Sequence, residues 1–188
     1  MPKYLAALVM VLVVGMVVTR VLLMKRRGIK AMHFGNIDKK DFLIPPFAFF
    51  YIYIVFANAF HWRGSGSQHF FRCAIINWFG VALCFAGLSV LLCSLISFGR
   101  SFRVGIDIKH PDKLITTGVF AFSRNPIYVA FVSILTGQFL IFSHWIFLVY
   151  LAAGVCLIHR QVLREEDYLK KHYGQEFLEY CNRVRRYF

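Results

Sequence analysis

Long apolar runs alternate with short basic segments along this chain, and the alternation predicts its architecture. A membrane-spanning helix needs about 20 predominantly apolar residues, within a range of about 17 to 25. The first run, Tyr4 to Leu23, meets that length. Its one charge, Arg20, lies near the end, where its apolar stem lets the guanidinium reach the headgroups. The run exceeds the ~7–15 apolar residues of a cleaved signal peptide. A second run extends from Phe42 to Phe60, with Asp41 placed to cap it and Pro45 and Pro46 in the first turn, where a missing N–H costs least. The third, Cys73 to Phe98, is longer than the hydrocarbon core requires and is predicted to tilt or project. Asn125-Pro126 reads as an N-cap followed by proline at the first helical position, opening an apolar helix that runs to Phe142. Ser143-His144 allows a tight turn, and a helix returns from Trp145 to about Ile158, which makes an antiparallel hairpin. The pattern predicts an all-α integral membrane protein with about five transmembrane helices.

Charge assigns the sides. Lys and Arg concentrate in cytoplasmic loops. Lys25, Arg26, Arg27, Lys30, Lys39 and Lys40 lie between the first two runs. Arg100, Arg103, Lys109, Lys113 and Arg124 lie between the third and fourth, and Arg160, Arg164, Lys170, Lys171, Arg183, Arg185 and Arg186 follow the fifth. The opposite connections hold only Arg63 and, at the membrane edge, Arg72. The expected arrangement is an N-terminus outside and a cytosolic C-terminus.

Composition agrees with a membrane protein. Hydrophobic residues make up 59% and charged residues 16%, against about 25% charged in soluble domains. The formal net charge of +13 follows from the positive-inside pattern, so anionic lipid headgroups are the expected partner. No recognition motif points to nucleic acid. Cys73, Cys84, Cys93, Cys156 and Cys181 show no metal-type pair spacing and read as small packing residues, so no metal is expected. The runs before Phe98 carry almost no ionisable groups, which argues against a pump or ion-coupled transporter.

Polar residues gather instead in two segments, 99–128 and 159–188. In the first, Gly99, Gly105 and Gly118 permit turns, and Arg124-Asn125 sits at a helix N-terminus, where backbone N–H groups and the dipole favour an anion. A loop that merely caps a membrane helix, with Arg124 on lipid phosphate, would look the same. In the second, Glu165, Glu166 and Asp167 are three of only nine acids in the chain. Leu169 shares a helix face with Glu165, and Gly174 suits a helix C-cap. Arg–Glu pairs on a solvated helix are the plainer alternative.

The order of these residues is more specific than either segment. Leu114, Gly118, Arg124-Asn125-Pro126 and Tyr128 come first, then a short hairpin, then Arg164-Glu165-Glu166, Leu169, Gly174, Phe177 and Tyr180. This series resembles the isoprenylcysteine carboxyl methyltransferase and phospholipid methyltransferase superfamily. The prenylcysteine enzymes usually have His where this chain has Asn125, and the Asn form is similar to bacterial members, which implies a bacterial inner membrane. The resemblance implies S-adenosyl-L-methionine bound at the cytosolic surface and a lipophilic methyl acceptor entering from the bilayer: a prenylcysteine-like carboxylate, a phospholipid amine or a thiol. It assigns cofactor binding to Leu114, Gly118, Arg124, Asn125, Pro126, Tyr128, Glu165, Glu166 and Leu169. Arg124 is expected on the cofactor carboxylate, and Glu165 and Glu166 on its ammonium or ribose.

Glu165, His159 and solvent are the candidate bases, and Arg160 can orient an acidic group of the acceptor. Residues 1–98 are then a three-helix membrane region, and residues 99–188 carry the cofactor site and the hairpin. A nicotinamide-dependent sterol-type reductase and a non-enzymatic lipid-binding protein are the competing expectations. The topology has a direct check. Reporter fusions after residues 34, 110 and 188 should read as cytosolic and one after residue 66 as external; a cytosolic signal at 66 would overturn the five-span arrangement.

Overall fold

The computed structural model describes residues 1–26, 44–62, 70–71, 73–97 and 114–187. Arg27, Lys30, Lys39, Lys40, Asp41, Phe42, Arg63, Arg72, Phe98, Gly99, Arg100, Arg103, Gly105, Lys109 and Lys113, used above, lie outside the described residues. Among the described residues six α-helices follow one another: α1 (Pro2–Arg26), α2 (Ile44–Ala59), α3 (Ala74–Ser97), α4 (Pro126–Phe142), α5 (Trp145–Tyr173) and α6 (Gln175–Arg183). A short 3-10 helix, Gly118–Ala121, precedes α4.

The chain is an all-helical integral membrane protein. Among the described residues α1, α3 and α5 are long and apolar enough to cross a membrane. The other two apolar helices, α2 and α4, have 16 and 17 residues, at or below the short end of spanning length. The expected α5 stopped near Ile158; the observed helix continues without a break to Tyr173. Nothing between those residues ends a helix: no proline intervenes, and the first residue with positive φ is Gly174, whose N–H closes the last turn on the Lys170 carbonyl.

The helices run antiparallel. At one end, Lys3 Nζ of α1 lies 3.0 Å from Nε2 of His61, just past α2. At the same end the α4–α5 turn is clipped to the residues before α3. Ser143 takes a left-handed conformation (φ 51°), and its hydroxyl donates to the Phe71 carbonyl (2.7 Å) and accepts from the Phe71 N–H (3.0 Å). His144 caps α5 by accepting the Ile146 N–H. The opposite end holds the C-termini of α1 and α3, the N-terminus of α4 and the polar continuation of α5.

Small residues set the closest contact, between α3 and α4. A Cβ on Gly80 would lie 2.6 Å from the Gly137 carbonyl oxygen, and one on Gly137 would lie 2.5 Å from that of Gly80. Two turns along, a Cβ on Gly87 would meet the Ala130 carbonyl at 2.8 Å. The paired positions advance on one helix as they retreat on the other, so this is a continuous antiparallel seam of backbone against backbone. In lipid, where burial of apolar surface does not drive helices together, such approach is a main source of helix affinity. Gln138, fully buried, adds a polar tie by donating to the Ala6 carbonyl of α1 (3.4 Å).

The seam predicts opposite responses to one chemical change. Gly137→Ala should lower the thermal midpoint of the detergent-solubilised protein, because overpacking typically costs about 1–3 kcal/mol. Gly15→Ala, in α1 with nothing within 4 Å of the added carbon, should leave the midpoint unchanged or raise it, since alanine is favoured over glycine in a helix by about 0.5–1 kcal/mol. Equal midpoints for the two variants would refute the seam.

Candidate active site

The α3–α4 seam places the start of α4 beside the end of α3. Gly118 approaches so closely that a Cβ there would lie 2.6 Å from Ser97 Oγ, and its φ is +65°. Both the space and the conformation require glycine. The next residues turn through the short 3-10 helix, bury Phe120 and Ser123, and enter α4 at Pro126.

Asn125 occupies the N-cap position of α4, and its backbone carbonyl accepts from Tyr128 N and Val129 N (both 3.1 Å). Its side chain does not cap the helix. The amide instead donates to Glu166 Oε1 (3.1 Å) and to the Arg186 carbonyl (3.2 Å). The Asn125 N–H is satisfied locally by Ser123 Oγ (3.2 Å).

Glu166 is the centre of the arrangement. It projects from α5, is buried, and receives donors on both oxygens. Arg124 Nη2 stands 3.3 Å from Oε1. Arg186 Nε and Nη2 each stand 2.9 Å from Oε2. The hydrogen bond to Glu166 raises Arg186 above the ordinary arginine value. A buried carboxylate without such partners would be held at a cost of several kcal/mol.

The neighbouring acid faces other groups. Tyr128 O–H donates to Glu165 Oε1 (2.5 Å), and Gln161 Nε2 donates to the same oxygen (3.0 Å). Adjacent positions on a helix point about 100° apart, so Glu165 and Glu166 look onto different surroundings. Closer to the membrane-spanning part of α5, His159 Nδ1 lies 2.8 Å from Tyr187 Oη. Arg160 follows it, half-buried. Leu114 and Leu169 are half-buried apolar residues and take no part in the polar network.

Four participants carried no sequence signal that singled them out: Ser123, Gln161, Arg186 and Tyr187. Gln161 was reachable, since it stands four residues before Glu165 on the same helical face. Arg186 and Tyr187 were not. They belong to the segment after α6, which Gly174 turns back (φ 53°) so that residues 184–187 cross the start of α4. There Arg124 N–H donates to the Arg185 carbonyl (3.0 Å), and Ser123 Oγ is 3.4 Å from the Arg186 carbonyl. Phe177 and Tyr180 bury the inner face of α6, and Tyr180 O–H donates to the Phe120 carbonyl at 2.6 Å. No group of His, Cys, Asp and Glu that could hold a metal ion occurs among the described residues.

Residues 75–176 match the model of the phospholipid methyltransferase family, and the chain belongs to that family. It is also similar to protein-S-isoprenylcysteine O-methyltransferase B of Arabidopsis thaliana, 30% identical over 112 residues, which are 58% of this chain and 57% of the relative. The match therefore spans less than two thirds of that relative's length. The family match includes Arg124, Glu165 and Glu166 as part of one long stretch, whereas residues 184–187 lie beyond it.

Tyr180 gives this site a pH signature. Burial pushes its phenol up to about 12 from the ordinary 10. Between those values the unfolded chain has lost this proton and the folded chain keeps it, so the contribution is complete below pH 10 and is lost as pH rises toward 12. The thermal midpoint should fall from about pH 10 upward. Tyr180→Phe should be less stable by about 1 kcal/mol below pH 10 for the lost hydrogen bond, with a shallower alkaline decline. An unchanged alkaline slope in the variant would show that Tyr180 is not the titrating group.

Proposed function

We propose that this chain is an S-adenosylmethionine-dependent integral membrane methyltransferase that acts on a lipophilic acceptor at the cytosolic face. The reading rests first on family membership. The structural observation that carries it is a pair of opposite charges built for a zwitterion. Arg124 Nε is buried and has no hydrogen-bond partner among the described residues, next to the N-terminus of α4, where the helix dipole favours an anion. Glu165, one residue from the acid that Arg124 touches, offers a carboxylate oriented by Tyr128 and Gln161. Arg124 would take the carboxylate of the cofactor's amino-acid part and Glu165 its ammonium. The start of the site, from Leu114 and Gly118 to Pro126, would form the wall facing the rest of the cofactor, with Leu169 on the α5 side.

S-adenosylmethionine supplies a methyl group on a cationic sulfur that departs as a neutral thioether. The protein's main task is therefore alignment, which can supply about 7–11 kcal/mol. Glu166 holds Arg124 and Asn125 in place. Glu165 accepts from Tyr128 and Gln161 and is better suited to fixing a cation than to removing a proton. An acceptor amine or thiol needs a base, and His159, oriented by Tyr187, stands on the membrane side of the acids for that role. An acceptor carboxylate needs none, and Arg160 would hold it. The names of the family and of the plant relative point to phospholipid and isoprenylcysteine acceptors; both bring an apolar chain that lies in the bilayer. Residues 1–98 serve as the membrane scaffold and residues 99–188 carry the chemistry. The basic segments support a cytosolic location for this end, and Asn125 supports a bacterial inner membrane.

The test uses the detergent-solubilised chain and a lipid extract. S-adenosylhomocysteine should bind in calorimetric titration and NADPH far more weakly. Radiolabel from S-adenosylmethionine should pass into the lipid fraction, and Glu165→Gln should raise the KM for S-adenosylmethionine at least tenfold, by about 1.4 kcal/mol or more, with turnover at saturating cofactor largely kept. Preferential binding of NADPH would instead support a reductase.

A further inference from the structure

Resting on that reading of Arg124, we propose that Arg186 is a positioning residue that keeps Arg124 available to a ligand carboxylate by taking over the charge of Glu166. The argument is one of unequal sharing. Two guanidinium groups surround one buried carboxylate, so the cluster carries a surplus positive charge. Arg186 holds its oxygen through two donors at 2.9 Å, whereas Arg124 reaches Glu166 through one nitrogen at 3.3 Å. The loosely held cation is the more buried of the two: the Arg124 side chain is 11% exposed and that of Arg186 39%. The surplus charge therefore sits inward, on Arg124, at the N-terminus of α4, with Nε lacking a partner among the described residues.

Three further contacts hold Arg186 to this task. Its carbonyl accepts from Asn125 Nδ2 and Ser123 Oγ, and the preceding carbonyl accepts from Arg124 N–H. The segment after α6 is thus fastened to the residues that carry the cofactor-facing groups. Without the Arg186 charge, Glu166 would have Arg124 as its only cationic partner among these groups. The two would close into a one-to-one pair, since an unpaired buried carboxylate is the costlier state. Arg124 would then be spent on the protein instead of the ligand, while the α4–α5 contact persisted.

The experiment compares two probes by calorimetric titration. S-adenosylhomocysteine carries the amino-acid carboxylate; 5′-methylthioadenosine lacks the amino-acid part. Arg186→Gln should weaken S-adenosylhomocysteine about tenfold or more, as expected for a hydrogen bond to a charged group, and change methylthioadenosine by no more than about twofold. Adding Glu166→Gln to that variant removes the competing charge and should return S-adenosylhomocysteine to within about threefold of the wild type. Arg186→Lys keeps the cation and should show a smaller loss confined to the same probe, which supplies the answer if the glutamine variant is not monodisperse. Equal weakening of both probes, or a double variant no better than the single one, would reduce Arg186 to a structural role and overturn the proposal. A wild type that binds S-adenosylhomocysteine, with an Arg186→Gln variant that binds it as well, overturns this inference alone. A wild type that binds neither probe overturns the cofactor reading beneath it.

Discussion

The buried carboxylate of Glu166 is the constraint on which the polar end of this protein depends. A charge withdrawn from water must be matched by donors with good geometry, or it costs several kcal/mol. Here the donors come from two stretches far apart in sequence: Arg124 and Asn125 at the entry to α4, and Arg186 after α6. One side chain therefore fixes the start of α4, the exit of α5 and the return of the chain at the same time. The behaviour of Asn125 shows the strength of the demand. It stands at a position where its side chain would ordinarily cap α4, yet its amide turns to Glu166 and to the Arg186 carbonyl.

That cluster needs a frame, and the frame is the α3–α4 seam. Gly80 against Gly137 and Gly87 against Ala130 bring the two backbones into contact over two turns. Gly118 against Ser97 continues the approach to the polar end. Small-residue contact leaves little room for sliding or rotation, because a carbon added at Gly80, Gly87 or Gly137 meets a carbonyl. The register of α4, and with it the height of Arg124, Asn125 and Tyr128, follows from positions many residues away inside the apolar region.

Much of this was legible in the sequence because lipid imposes coarse rules. The apolar runs at Tyr4–Leu23 and Cys73–Phe98 correspond to α1 and α3, and the Asn125-Pro126 and Ser143-His144 signals mark the two ends of α4. Gly174 ends α5 as its position suggested. Two features were hidden for different reasons. The length of α5 was underestimated because hydropathy falls after Ile158 while nothing breaks the helix; a membrane argument sees the end of the apolar stretch, and hydrogen bonding continues past it. The part played by Arg186 was concealed among basic residues that the positive-inside rule already accounted for. A count of charges does not tell a solvated arginine from one folded onto a buried acid; only the turn at Gly174 and the burial of Phe177 and Tyr180 bring residue 186 back.

The uninterrupted course of α5 has a consequence for the two acids. At 1.5 Å per residue its 29 residues extend about 43 Å, beyond a hydrocarbon core of about 30 Å. The far end is fixed by the turn at Ser143, which is bonded to Phe71. Distance along the rod then sets the height of Glu165 and Glu166, and the helical angle sets their direction. A residue inserted anywhere between Trp145 and Gln161 would raise the acids by about 1.5 Å and turn them by about 100°. Glu165 would leave Tyr128, and Glu166 would leave Arg124 and Arg186. The division between an acid enclosed by arginines and an acid held by a tyrosine and a glutamine is therefore a property of helix phase. It persists only because α5 carries the phase unbroken from the turn at Ser143 to the site.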